Sequence, residues 1–201
     1  VNATTAAAAA AAVWAALVAA SPPWFFLAAA PFCVLWIALS ARAAPAGLRE
    51  RLRPRPGDLA LALALAIVLY AGTRAVLLAG CGPLSDVLCG PLASMFRRFE
   101  TRTPLAAAVL GLLVAPAEEL FWRGLVQERL ARRHGRAAGV ALATALAVLV
   151  ALASGEPFLA LATLPTYAAW GALAAWRGSL VGPVVSHAAW SLLVASVAPP
   201  L

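Results

Sequence analysis

The chain has 201 residues, of which 64% are hydrophobic and only 11% charged, and it carries a net charge of +7. A soluble domain of this length needs a charged outer surface and a disordered chain needs low hydrophobicity, so both classes are excluded. The fold class that remains is all-α, a polytopic membrane bundle of about seven transmembrane helices, because helices satisfy their own backbone in lipid.

Runs long enough to cross about 30 Å of hydrocarbon at about 1.5 Å per residue fall at 4–20, 24–41, 59–79, 104–124, 137–153, 157–176 and 180–198. The first is rich in alanine and the least hydrophobic. No positive charge precedes it and another span follows Ser21, Pro22 and Pro23, so it is expected to be retained and not cleaved as a signal. The small side chains of Ala6 to Ala12 offer a packing face to other integral membrane subunits.

All fifteen basic residues are arginine, the bias of GC-rich bacterial coding. Arg42, Arg49, Arg51, Arg53 and Arg55 lie between spans two and three, Arg129, Arg132, Arg133 and Arg136 between four and five, and Arg177 after six. Only Arg97, Arg98 and Arg102 lie in loops on the other side. This asymmetry predicts a multi-pass protein of the bacterial cytoplasmic membrane, N-terminus cytoplasmic and C-terminus outside. Arginines grouped in loops set topology, so nucleic acid is not an expected partner; membrane lipids and other integral membrane proteins are. The outer connection, 83–103, contains Val87, Leu88, Leu92, Met95 and Phe96, the pattern of a short surface helix. Cys33, Cys81 and Cys89 have neither CxxC spacing nor accompanying histidines, which gives little support to zinc or a disulfide framework. Cys33 reads as packing.

Arg74, Glu118, Glu119 and Arg123 fall inside spans or at their rims, where an ionisable group marks function by default. Arg74, near the outer end of span three, either snorkels outward or pairs with a buried carboxylate. Glu119 and Arg123 are four apart, acid first, and share a helix face on which they neutralise each other. Glu118 is rotated about 100° away and lacks that partner. A desolvated carboxylate of this kind suits a group that accepts and returns a proton, although pairing across the bundle would be a purely structural alternative. His187 lies seven residues from the cytoplasmic end of span seven, and Glu118 six from that of span four, about 10 and 9 Å. Equal depth lets them share a water that Glu118 deprotonates while His187 donates to an oxyanion. A histidine hydrogen-bonded for packing is the alternative. His134, in the arginine-rich loop, is expected to be solvated.

The stretch Glu118, Glu119, Arg123, followed by Gly124 and the basic loop 129–136, resembles the EExxxR signature of the CPBP family, the type II CAAX prenyl proteases and bacteriocin-processing intramembrane endopeptidases. The resemblance runs from about Pro104 to Ala198. It implies a water-activating role for Glu118, bracing by Glu119 and Arg123, and an oxyanion role for His187 in the family's HxxxN or HxxxD motif, with Ser191 at the motif's last position. It also implies no cofactor and no metal, one histidine and one free glutamate being too few for a zinc site. The family's FxxxH motif, expected near 148–153, has no histidine here. The organisation implied is an N-terminal hairpin and basic loop over 1–58, a third span and outer connection over 59–103, and a CPBP-like four-helix core over 104–201. With the middle histidine gone and Ser191 in place of an amide, the expected function is a catalytically degenerate relative, an accessory or scaffold subunit binding other membrane proteins. The alternative is an active intramembrane endopeptidase with a peptide substrate.

Overall fold

A computed structural model describes residues 3–20, 24–81 and 89–197, and among these there is no strand. The helices are α1 (Ala3–Ala20), α2 (Phe25–Ala43), the short α3 (Leu48–Arg51), α4 (Asp58–Cys81), α5 (Gly90–Arg98), α6 (Pro104–His134), α7 (Arg136–Ala153), α8 (Pro157–Arg177) and α9 (Val181–Leu192), which continues as a π-helical turn, Leu193–Val197. Five of them, α2, α4, α6, α7 and α8, are long and apolar enough to cross a membrane; the shorter apolar stretches Ala8–Ala20 and Val181–Ser196 bring the apolar helices to the expected seven. Large apolar side chains stand on the outer surface, Leu112 at 73% and Val68 at 66% exposure. Only lipid makes such a surface favourable.

Each span buries one stripe. In α2 the buried residues are Phe25, Ala29, Cys33, Trp36 and Ser40, spaced three or four apart. Trp36 packs on Phe121 of α6 at 4.7 Å between ring centroids, and Trp14 of α1 packs on Trp36 at 5.4 Å. The buried face of α7 carries Gly139, Ala143, Ala147 and Ala151. Four-residue spacing of small residues lets α7 lie close against its neighbours, where van der Waals contact holds membrane helices together.

Span four is longer than expected. Gly124 was the natural stop in the sequence, yet it is buried beside Leu48 and Leu180 and the helix runs on to His134. The break falls at Gly135, whose φ of +88° few other residues adopt. This leaves Glu118 near the middle of α6 and not close to its arginine-rich end. Pro116, which has no N–H to donate, sits in the short α-helical piece Ala115–Glu119 between π-helical stretches Leu110–Val114 and Leu120–Gln127. Such wide turns recur at functional positions.

The arginine-rich loops meet at one end of the bundle. Arg51 donates to Glu128 at 3.0 Å, Arg129 to the Ala43 carbonyl at 2.7 Å, and Arg177 to the buried Asp58 at 3.1 Å. Ser179 donates to the other Asp58 oxygen at 2.7 Å, fixing the start of α9 on the start of α4. His134 is exposed, as expected. At the opposite end Arg98 pairs with Glu156, and the Thr101 N–H donates to the Ala195 carbonyl at 2.9 Å.

The expected surface helix is present as α5, with Met95 buried and Phe96 half-buried; Val87 and Leu88 lie outside the described residues. So do Asn2, Ser21 to Pro23 and the tail Pro199 to Leu201, and the side chains of Ala6 and Ala7 are not described. One expectation is overturned: Cys81 and Cys89 form a disulfide, Cα to Cα 5.2 Å, joining the end of α4 to the start of α5. Their spacing matches no common motif, and only the fold places the start of α5 beside the end of α4. Cys33 is fully buried in the aromatic core, as expected of a packing residue. Arg74 reaches the Tyr70 hydroxyl at 3.4 Å on the exposed face of α4.

The contact of α6 with α7 is the tightest in the bundle's glycine positions. A Cβ on Gly139 would lie 2.7 Å from the Ala131 Cβ and 2.8 Å from its backbone. Gly139→Ala is expected to lower stability by about 1–3 kcal/mol through overpacking. Gly72→Ala, with nothing within 4 Å of the new Cβ, is expected to be neutral or to raise it by up to about 1 kcal/mol from helix propensity. Thermal unfolding in detergent compares the two.

Candidate active site

Three helices, α6, α8 and α9, bring the ionisable residues together in the interior of the bundle. The Glu119 carboxylate is fully buried and shares one oxygen, Oε1, between two donors: Arg123 Nη1 at 3.0 Å, one turn on, and His187 Nδ1 of α9 at 2.8 Å. Among the described residues its other oxygen has no partner. Arg123 is spent inside the protein, because Nη2 donates to the Tyr167 carbonyl at 3.1 Å and the guanidinium lies 4.2 Å over the Tyr167 ring. The expected Glu119–Arg123 pair therefore forms, and it reaches two further helices that spacing alone did not indicate.

Glu118 is not left alone. Its Oε2 accepts a hydrogen bond from the Tyr167 hydroxyl at 2.9 Å and stands 3.5 Å from His187 Nε2. One imidazole thus lies between two carboxylates, Nδ1 toward Glu119 and Nε2 toward Glu118. Trp170 stacks on His187 with centroids 4.0 Å apart, and its indole N–H donates to Ser186 at 3.1 Å. These contacts fix the ring plane. Ser191, one turn beyond His187, is buried on the wall of the same cavity.

Two cavities meet at Glu118. One, of about 190 Å³, is lined by Glu118, His187, Ser191, Trp190 and Thr73 with a largely aromatic and aliphatic remainder. The other, of about 40 Å³, lies against Glu118, Tyr167, Trp122, Ala147, Val150 and Ala151, and is large enough for a single water. Ala147 and Ala151 are four apart, buried, and without a polar group to offer this cavity; the segment in which the FxxxH motif was expected, 148–153, thus borders Glu118.

Tyr167, Trp170 and Ser186 escaped the sequence reading. Tyr167 carried a signal, since it is one of only two tyrosines and its hydroxyl lies in an apolar span. Trp170 and Ser186 carried none, as both are common packing residues in membrane helices.

Residues 100–193 match the family model described as type II CAAX prenyl endopeptidase Rce1-like. This segment is an Rce1-like domain. It holds every residue of the cluster described above and ends within the last turns of α9. No curated protein and no solved structure matches the chain. The Rce1-like segment belongs to a membrane protein of apolar helices, and its acidic pair is set in the bundle interior.

Because Arg123 and Glu119 are 2% and 0% exposed, removing Arg123 leaves a buried carboxylate that has lost its guanidinium and keeps only the His187 contact. Arg123→Ala is expected to lose roughly 3–5 kcal/mol, whereas Glu118→Gln, nearly isosteric, is expected to lose much less. Detergent thermostability and expression of the two variants measure the difference. Equal stability would show that the pair does not hold the bundle together.

Proposed function

We propose that the chain is an intramembrane endopeptidase of the bacterial cytoplasmic membrane, attenuated by the loss of one histidine. The observation that supports this is the position of Glu118 between a water-sized cavity and a larger chamber shared with His187. A bundle kept only for its outer surfaces has no need of a carboxylate and an imidazole facing a common space, and their burial is costly.

In the proposed reaction the water occupies the small cavity and a peptide carbonyl lies in the chamber. Glu118 takes a proton as the water oxygen bonds to the carbonyl carbon. His187 donates from Nε2 to the developing oxyanion, and Ser191 adds a weaker donor on the same wall. Glu118 then gives its proton to the leaving nitrogen as the carbon–nitrogen bond breaks, leaving a carboxylic acid and an amine. Glu119 and Arg123 touch no reacting atom and act as positioning residues, holding His187 and the α6–α8 contact. Tyr167 takes over part of the missing histidine's work by orienting Glu118 through its hydroxyl. The N-terminus is assigned to the cytoplasm and the C-terminus to the outside, on the arginine asymmetry between the two ends.

A second reading is favoured by Ala147 and Ala151. With no side chain on α7 to hold the water, the site falls silent and the bundle serves as an accessory subunit that binds other membrane proteins. The two readings separate in one set of variants. Placing histidine at Ala151 and asparagine at Ser191 is expected to raise hydrolysis of membrane peptides by about 10² or more, since a second polar group on the water and an oxyanion donor each contribute on that order. Tyr167→Phe is expected to lower native turnover about 10- to 100-fold, the worth of one hydrogen bond to a carboxylate, and Glu118→Gln to abolish it. A fluorogenic CAAX-type peptide together with a membrane-proteome cleavage screen provides the readout. Silence of the Ala151→His, Ser191→Asn chain with the fold intact would favour the accessory role.

A further inference from the structure

The chamber beside Glu118 extends in one direction. Its described walls are Phe25 and Phe26 at the start of α2, Met95 and Phe99 at the α5 end, Leu110 in the first turns of α6, and Val194 in the last turns of α9. All of these lie on the side of Glu118 away from the end where the arginine-rich loops gather. Phe25 and Phe26 also line a second cavity, of about 610 Å³, whose other walls include Arg97, Arg98 and Arg102 with a single acidic residue, Glu100. Arg98 is paired with Glu156 on the neighbouring helix, and Arg102 lies 3.6 Å from Glu100. Arg97 is exposed. Phe25 and Phe26 are thus a wall common to a basic vestibule and to an apolar chamber that ends on Glu118, His187 and Ser191.

Two independent features put the vestibule on the non-cytoplasmic side. The positive-inside asymmetry assigns the opposite end to the cytoplasm. The Cys81–Cys89 disulfide, at the vestibule end of α4, belongs to an oxidising compartment. The three vestibule arginines lie on the side that the charge rule disfavours; Arg98 and Arg102 have carboxylates beside them, and Arg97 is exposed. Val109 on the vestibule wall and Glu118 are nine residues apart on α6, about 14 Å at 1.5 Å per residue, or about four residues of extended peptide.

We propose that the substrate reaches Glu118 from the non-cytoplasmic side, as an extended apolar peptide segment carrying an acidic group on the side of the bond that faces the vestibule, where Arg97 and Arg102 receive it. This rests on the peptidase reading for the word substrate, but the route and its charge preference can be measured without hydrolysis. A field of one sign at a low-dielectric mouth concentrates the opposite charge and raises its rate of entry.

The test uses a reporter thiol on the chamber wall, Ala162→Cys, in the full chain with Cys33→Ala and the disulfide left in place. Val194→Cys serves as a second reporter in case the first disturbs the α8 packing. Intact cells are treated with membrane-impermeant methanethiosulfonates, one anionic and one cationic. The expected result is labelling from outside, with the anionic reagent faster by about tenfold and that advantage lost in the Arg97→Ala, Arg102→Ala double variant. Labelling only after permeabilisation would overturn the route. Equal rates for the two reagents, or an advantage that survives the double variant, would overturn the charge selection. No labelling of either reporter from either side would overturn the open passage itself. A chain that labels selectively but hydrolyses nothing would discard the peptidase reading and keep the entry route.

Discussion

The Glu119 carboxylate, buried at the centre of an apolar bundle, is the interaction on which the rest depends. An isolated charge at that depth is too costly to retain, and Glu119 is held by Arg123 from its own helix and by the His187 ring from α9. Because Arg123 also donates to the Tyr167 carbonyl and covers its ring, one carboxylate fixes the mutual register of α6, α8 and α9. The positions of the Glu118 carboxylate, the Tyr167 hydroxyl and the exposed edge of the His187 ring all follow from that register. Structural bracing and site geometry are here one network.

Much of this was legible in the sequence because lipid punishes charge so heavily. Seven apolar runs stand out from the composition, and the few ionisable residues inside them stand out from the runs. Four-residue spacing put Glu119 beside Arg123, and a count of residues from the span ends put Glu118 and His187 at similar depth. What was not legible is what depends on rotation and on which helices are neighbours. Nothing in the sequence of α8 says that Tyr167 faces Glu118, since a helix apolar on every side carries no phase. The end of α6 was misjudged for a related reason. Gly124 has the local signature of a stop, but in a packed interior a glycine serves close approach as readily as termination. The disulfide was missed because spacing motifs describe short loops of known families, whereas Cys81 and Cys89 meet because the start of α5 lies beside the end of α4.

The alanines of α7 explain how a site can be intact in one half and open in the other. Gly139, Ala143, Ala147 and Ala151 form a stripe that packs closely at the arginine-rich end of the bundle and, at its other end, faces the small cavity beside Glu118. Small residues strengthen helix contact in lipid while removing any polar group the helix could offer the site. The water in the proposed mechanism consequently has Glu118 and Tyr167 near it and no imidazole, which makes slow turnover the natural state of this arrangement.

The central claim is that Glu118 activates a water against a peptide bond. Membranes containing the chain, incubated in water enriched in oxygen-18, test it most directly by mass spectrometry of newly formed peptide C-termini. The account expects one heavy oxygen in the new carboxylate of each product, with those products absent when Glu118→Gln replaces the native chain. Products that persist unchanged in Glu118→Gln membranes would contradict it.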